Sequence, residues 1–185
     1  MGFNFLFYNG NRKTVVMQRP ARIALFRYFG LSPLEIEIIY NTLSSLFSVR
    51  EENVPPDSNY LSFVEIQFPV SYSDSFFLLL GADRWNKIKG LLKEMKRRRG
   101  NKGLKVSLVF CDVSADPNLK VIFSLKSGKG LSQYDNALEK IEYLVDTLPI
   151  SIANSLVKTE RVDYVYDESS LKWIPQNPHD GEDAR

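Results

Sequence analysis

Residues 83–130 constrain the fold more than any other stretch, because they combine the strongest amphipathic pattern of the chain with its dense charge cluster and its clearest pair of strands. Trp85, Ile88, Leu91, Leu92 and Met95 recur at helical spacing, with Arg84, Lys87, Lys89, Lys93, Lys96 and Arg97 in the positions between. Such a pattern must bury one stripe against another element, so an amphipathic helix is expected over 84–99. Asp83 is placed to cap its start, and Gly100 to end it in a left-handed turn. Beyond it, 104–113 puts Leu104, Val106, Leu108 and Phe110 on one side, and 119–126 is rich in Val, Ile and Phe, so both read as strands. Between them, Pro117 fixes φ while Asp116 and Asn118 can bond their own backbone, which predicts an antiparallel hairpin turning at 114–118. After Gly128-Lys129-Gly130 a second helix, started by Ser132 and Asp135, carries Tyr134, Ala137, Leu138, Ile141, Leu144, Val145 and Leu148 as its apolar stripe.

Elsewhere the signals are shorter in range. Asn9-Gly10 between strand-like runs at 3–8 and 13–18 predicts an N-terminal hairpin, since both residues tolerate positive φ. Ser32, Pro33 and Glu35 open a helix with a capping box, whose core side is Ile36, Ile39, Tyr40, Leu43, Leu46 and Phe47. A helix-turn-helix over 21–47 is disfavoured, because its second helix would bring no Arg or Lys between Pro33 and Val49 to a major groove. Residues 50–59, with Pro55-Pro56, read as a loop, and 60–68 as a strand alternating Ser62, Val64 and Ile66 against Phe63, Glu65 and Gln67. Segments 21–30 and 70–82 fit helix and strand equally. Residues 150–158 fit a short helix, and 162–166 with 171–174 a last pair of strands.

From residue 60 the order strand, helix, strand, strand, helix, strand matches the β-α-β-β-α-β pattern of a ferredoxin-like unit. The expected class is therefore α+β, an antiparallel sheet with helices packed on it: a ferredoxin-like core from residue 60 preceded by a β-hairpin and a helix. A profilin-like mixed sheet is the alternative. Since 185 residues at 44% hydrophobic content suffice for one core, residues 1–175 read as a single domain and the Pro-, Gly- and acid-rich 176–185 as a flexible acidic tail. No apolar run approaches about 20 residues and no basic stretch precedes a small-residue cleavage site, so a cytoplasmic protein without membrane association is expected. One cysteine, Cys111, and one histidine, His179, leave no basis for an internal disulfide or a His/Cys metal site, and no cofactor is expected. Cys111 reads as a small core residue.

Within 84–105 stand ten basic residues and one acid, Glu94, a net of +9 in a chain of net +2, so the remainder carries −7. Cations in a last helical turn complement the helix dipole, but about two would serve that end. A local patch sets a local field. In the expected topology the first helix and the third strand end at one edge of the sheet. Lys93, Lys96, Arg97, Arg98, Arg99 and Lys102 should therefore meet Lys126, Gly128, Lys129 and Gly130, where free N–H groups at a helix start and close backbone approach admit an anion. Asp167 and Glu168 are expected at the same edge. The Gly-Lys-Gly loop is not a Walker loop, which needs G-x-x-x-x-G-K-[ST].

Three functional readings follow. The first is a non-catalytic module contacting RNA or DNA phosphates through the basic edge. The second is a structural or regulatory protein-interaction subunit, whose partner is an acidic protein surface or a second copy of the chain. The third and weakest is an enzyme acting on a phosphorylated small molecule, with Lys129 and Arg98 as clamps and Asp112 or Asp116 as acid or base. No nucleophile-base pair supports it. Phe63 and Phe123 are the middle-strand aromatics that can stack on bases, although such residues more often lie in a core. Replacing Arg97, Arg98 and Arg99 together should leave the fold nearly intact, because surface changes usually fall within about 0.5 kcal/mol each.

Overall fold

The computed structural model describes residues 22–100, 103–111, 119–126, 130–145 and 161–176. Among these, seven strands and four helices follow in the order β1 (Ile23–Phe29), α1 (Pro33–Ser44), β2 (Ser48–Asn53), β3 (Ser62–Phe68), α2 (Asp74–Leu80), α3 (Ala82–Arg99), β4 (Leu104–Cys111), β5 (Lys120–Lys126), α4 (Leu131–Lys140), β6 (Arg161–Asp167) and β7 (Lys172–Gln176), with a 3-10 turn at Glu142–Leu144. The strands form one sheet in the order β2-β1-β3-β4-β5-β6-β7. Pairs β1/β2, β3/β4 and β5/β6 are parallel, and β1/β3, β4/β5 and β6/β7 antiparallel.

The class is α+β, and the element order from residue 60 is the one read from the sequence, but the antiparallel, ferredoxin-like sheet is corrected. β3 lies directly beside β4 in parallel register, Val64 opposite Val106, so no strand is inserted into that crossover as a split unit requires. The reason is visible in β4 itself. Ser107, Val109 and Cys111 have little exposure, along with Leu104, Val106, Leu108 and Phe110, and such a near-continuous buried run suits parallel pairing. Element order alone does not say whether a helix returns the chain to the adjacent strand position or to the next one.

Alternation decides the faces. Phe26, Val64, Ile66, Phe68, Val106, Leu108, Phe110, Phe123, Tyr164 and Trp173 pack with Ile39 and Leu43 of α1, Trp85, Ile88, Leu92 and Met95 of α3, and Tyr134, Ala137 and Leu138 of α4 in one core. Phe123, a candidate for base stacking, is fully buried there. The ambiguous 70–82 resolves as helix because Phe76 and Leu80, four apart, both turn inward. Phe76 sits edge-on to Phe110 with ring centroids 4.9 Å apart. The other ambiguous segment is strand β1, so 21–47 holds no helix-turn-helix.

Several boundaries move. α3 starts at Ala82 with Gly81 at its cap, leaving Asp83 inside the first turn, while Gly100 ends it with φ 65° as its sequence position implies. α4 starts at Leu131 and not at Ser132; Gln133 Oε1 accepts from the Gly130 N–H at 3.3 Å. At α1 the capping box is present: the Ser32 N–H donates to Glu35 Oε2 at 2.8 Å and the Glu35 N–H to Ser32 Oγ at 3.4 Å. Where a loop was expected after residue 50, Ser48–Asn53 is an edge strand parallel to β1. Its sequence hides it, since only Val49 packs against the core and the rest is polar. The expected N-terminal hairpin, the turn at 114–118, the helix at 150–158 and the tail from 177 lie outside the described residues.

Candidate functional site

Burial divides the basic residues of α3 into those bound into the helical layer and those left at its surface. Lys89 is buried and donates to Glu139 Oε2 at 2.6 Å and Glu142 Oε1 at 3.0 Å. Burial alone would lower its pKa, but hydrogen bonds and charge from Glu139 and Glu142 outweigh this and hold the ammonium above its usual range. Lys93 pairs with the other oxygen of Glu139, and together these bonds tie α3 to α4. Lys96 is fully buried, donates to the Gly100 carbonyl at 3.1 Å and lies 6.0 Å from the Tyr134 ring centroid; burial lowers its pKa.

Arg99 is the most committed. Its guanidinium forks onto Glu35, NH1 to Oε1 at 2.9 Å and NH2 to Oε2 at 2.7 Å, while Nε donates to Ser62 Oγ at 2.5 Å and NH2 to the Gly30 carbonyl at 3.2 Å. With 14% and 4% of their side chains exposed, Arg99 and Glu35 form a buried bidentate pair joining α3, the α1 cap and the β1–α1 turn. Burial raises the Glu35 pKa, but hydrogen bonds and charge from Arg99, with Ser32, carry it below the usual carboxylate value. Gly30 is required at this junction: its φ is +64° and a Cβ there would lie 2.1 Å from the Leu61 carbonyl oxygen.

Arg97 and Arg98 are the well-exposed members of the triple arginine run, and both share Glu94, whose carboxyl their hydrogen bonds, Arg97 first, bring down to about 2. Gly130 caps α4, and Lys126 is exposed at the end of β5. Lys102, Gly128 and Lys129 lie outside the described residues, as do Asp112 and Asp116.

A different set of cations occupies the sheet face turned away from α1, α3 and α4. Lys105 stands opposite Lys126 across the β4/β5 ladder and opposite Phe63 across β3/β4, which places the start of β4 and the end of β5 at one end of the sheet. The Lys105 ammonium lies 5.6 Å from the ring centroids of both Tyr60 and Phe63, and Phe63 stacks on Phe29 at 6.0 Å. Lys120 and Lys126 make no ion pair among the described residues. Asp167, two positions beyond Val165 in the strand parallel to β5, is level with Lys126, and Glu168 follows it. The hydroxyls of Ser170 and Ser169 and their backbone N–H groups engage the Asp167 carboxylate and lower its pKa.

From Phe63 and Lys105 a trough of about 490 Å³ runs over this face, floored by Val109 and Ile122. Ion pairs border it. Arg27 NH1 donates to Glu65 Oε1 at 3.2 Å, and its Nε is paired with Glu52 Oε2 at 3.3 Å without being aligned for a hydrogen bond. Arg161 forks onto Asp163 at 2.7 and 2.9 Å. Asp163 hydrogen bonds hold the Arg161 guanidinium above its usual range against the effect of burial, with the charges of Asp163 and Glu65 adding to them.

Sequence reasoning centred on α3 counted Lys105 in the basic window but passed over Arg27, Glu65, Lys120, Arg161 and Asp163 as site residues. A signal did exist in β3, whose alternation sets Phe63, Glu65 and Gln67 against an apolar side. No family model matches the chain, and no curated protein and no solved structure resembles it significantly. Among the described residues no helix is long and apolar enough to cross a membrane.

Proposed function

We propose that this chain is a non-catalytic nucleic-acid-binding module that grips phosphates along the edge where β4 begins and β5 ends. The observation that carries the reading is the opposition of Lys105 and Lys126 on the same sheet face, with Tyr60 and Phe63 beside Lys105. Two lysines side by side repel unless an anion joins them, and a phosphodiester supplies one charge per residue of strand. Arg97 and Arg98, exposed at the end of α3, extend the field toward the same end of the sheet. In sequence, Lys102 and Lys129 flank these two strand ends.

The test is an electrophoretic mobility series with RNA and DNA, single-stranded and duplex, at several salt concentrations. The reading predicts affinity that falls steeply with salt for any sequence, and retention independent of salt would refute it. A second reading, a protein-interaction subunit, draws support from α2, where Leu78 is 82% exposed and Leu79 45%. Mass that rises with protein concentration, together with no oligonucleotide retention, would favour it.

A further inference from the structure

We infer that the trough beside Lys105 holds the bases of a single nucleic-acid strand, and that Glu65 makes it prefer cytosine to uracil; this rests on the phosphate-binding reading above. Phe63 and Lys105 belong to both the edge and the trough, so a strand whose phosphates follow Lys105 and Lys126 has its bases directed onto the sheet. At 490 Å³ the trough lies within the range of about 300–1,000 Å³ usual for small ligands. Along β4, the four steps from Lys105 to Val109 span about 13 Å, room for two or three unstacked nucleotides. A single strand suits this face better than a duplex, because its unstacked bases can lie on the sheet, whereas a duplex presents its base edges only within its grooves.

Charge is sorted along the same path. Among the described residues the cations without ion pairs are Lys105 and Lys126 at one end and Lys120 at the other end of β5, whereas between them Arg27 and Arg161 are matched by Glu65, Glu52 and Asp163. A strand crossing the trough sets its phosphates against the lysines at the two ends and its neutral bases between them. An acidic peptide would set carboxylates against Glu65 and Asp163.

Glu65 supplies the discrimination. Its Oε1 accepts from Arg27, and its Oε2 accepts no hydrogen bond among the described residues. Cytosine offers an exocyclic amine to such an oxygen and ring acceptors to the neighbouring guanidinium. Uracil in the same pose turns its O4 carbonyl toward the carboxylate, and its N3–H, the one donor on that edge, reaches Glu65 only if the base shifts along its edge. A base stacks on Phe63 or Tyr60 by taking the place of the Lys105 ammonium, which lies 5.6 Å from each ring, and that contact is indifferent to base identity.

Oligocytidylate and oligouridylate of equal length are the probes, because they differ only in the groups that a carboxylate can distinguish. Fluorescence anisotropy should show the wild type binding the first about tenfold more tightly. Glu65→Gln should bring the two affinities together without changing the salt slope, and Glu65→Asp, which keeps the carboxylate, should retain the order. Phe63→Leu, which preserves apolar packing, should weaken both strands about fivefold or more. Equal wild-type affinities, or an order that survives Glu65→Gln, would overturn the trough assignment. If Lys126→Ala still lowered the salt slope in that case, the phosphate edge would stand alone. Failure to bind either strand would remove both. Binding of polyglutamate that neither oligonucleotide displaces would assign the face to an acidic protein.

Discussion

Lys96 and Lys126 carry the same charge in opposite settings. The first is fully buried, bonded to the Gly100 carbonyl and close to the Tyr134 ring; the second stands exposed at the end of β5 with another lysine across the ladder. The contrast extends to their neighbourhoods. In the helical layer Lys89, Lys93 and Arg99 each meet carboxylates and hold elements together, whereas Lys105, Lys120 and Lys126 on the sheet face meet none among the described residues. A dense basic run in sequence is therefore a poor measure of the charge offered to a ligand. What a cation can do for binding depends on whether an acid already neutralises it within the fold.

The largest effect should come from Arg99→Ala. It leaves Glu35 buried without its partner, a loss of about 3–5 kcal/mol by urea unfolding, while Arg97→Ala should hardly move the midpoint. This corrects the expectation that the arginine run is uniformly dispensable. The pair also sets a pH dependence. Because the folded Glu35 pKa lies below the ordinary 4.5, its contribution is complete above that pH and is lost as pH falls through the lower folded value. Unfolding from neutral pH down into the acid range should show this loss in the wild type and not in Arg99→Ala. Next is Gly30→Ala, where positive φ and contact with the Leu61 carbonyl should cost about 2 kcal/mol or more. Lys89→Met should cost less, about 1 kcal/mol, since Glu139 keeps Lys93 and Glu142, 29% exposed, can turn to water. If Lys89→Met proved as damaging as Arg99→Ala, the ion pairs between α3 and α4 would be more central than their exposure implies. Smallest is Lys126→Ala, which should change stability by less than about 0.5 kcal/mol in a melting experiment and act on binding alone.

How much of this was legible in the sequence follows from the range of each signal. The Ser32/Glu35 capping box, the stop at Gly100 and the apolar stripe of α3 are local, and each depends on residues within a few positions of one another. Pairing is not local. Nothing in 60–126 states that α3 returns the chain to the position beside β3, and nothing in Ser48–Asn53 beyond Val49 marks it as a strand. For the charges, composition located the basic cluster but could not show that Glu35, 64 residues before Arg99, and Glu139, 50 after Lys89, reach back to neutralise it. The open face was half legible. The polar side of β3 was in view, but Arg27, Lys120, Arg161 and Asp163 come from strands that only the sheet order brings to it.

The most direct test of the contrast is the slope of log affinity against log salt for a single-stranded oligonucleotide, measured for the wild type, Lys126→Ala and Lys93→Ala. Each phosphate contact on a single strand contributes about 0.7 to that slope. The account predicts a decrease of about 0.7 for Lys126→Ala and none for Lys93→Ala, whose ammonium is already held by Glu139. A decrease for Lys93→Ala with no change for Lys126→Ala would contradict it and return the binding surface to the helix.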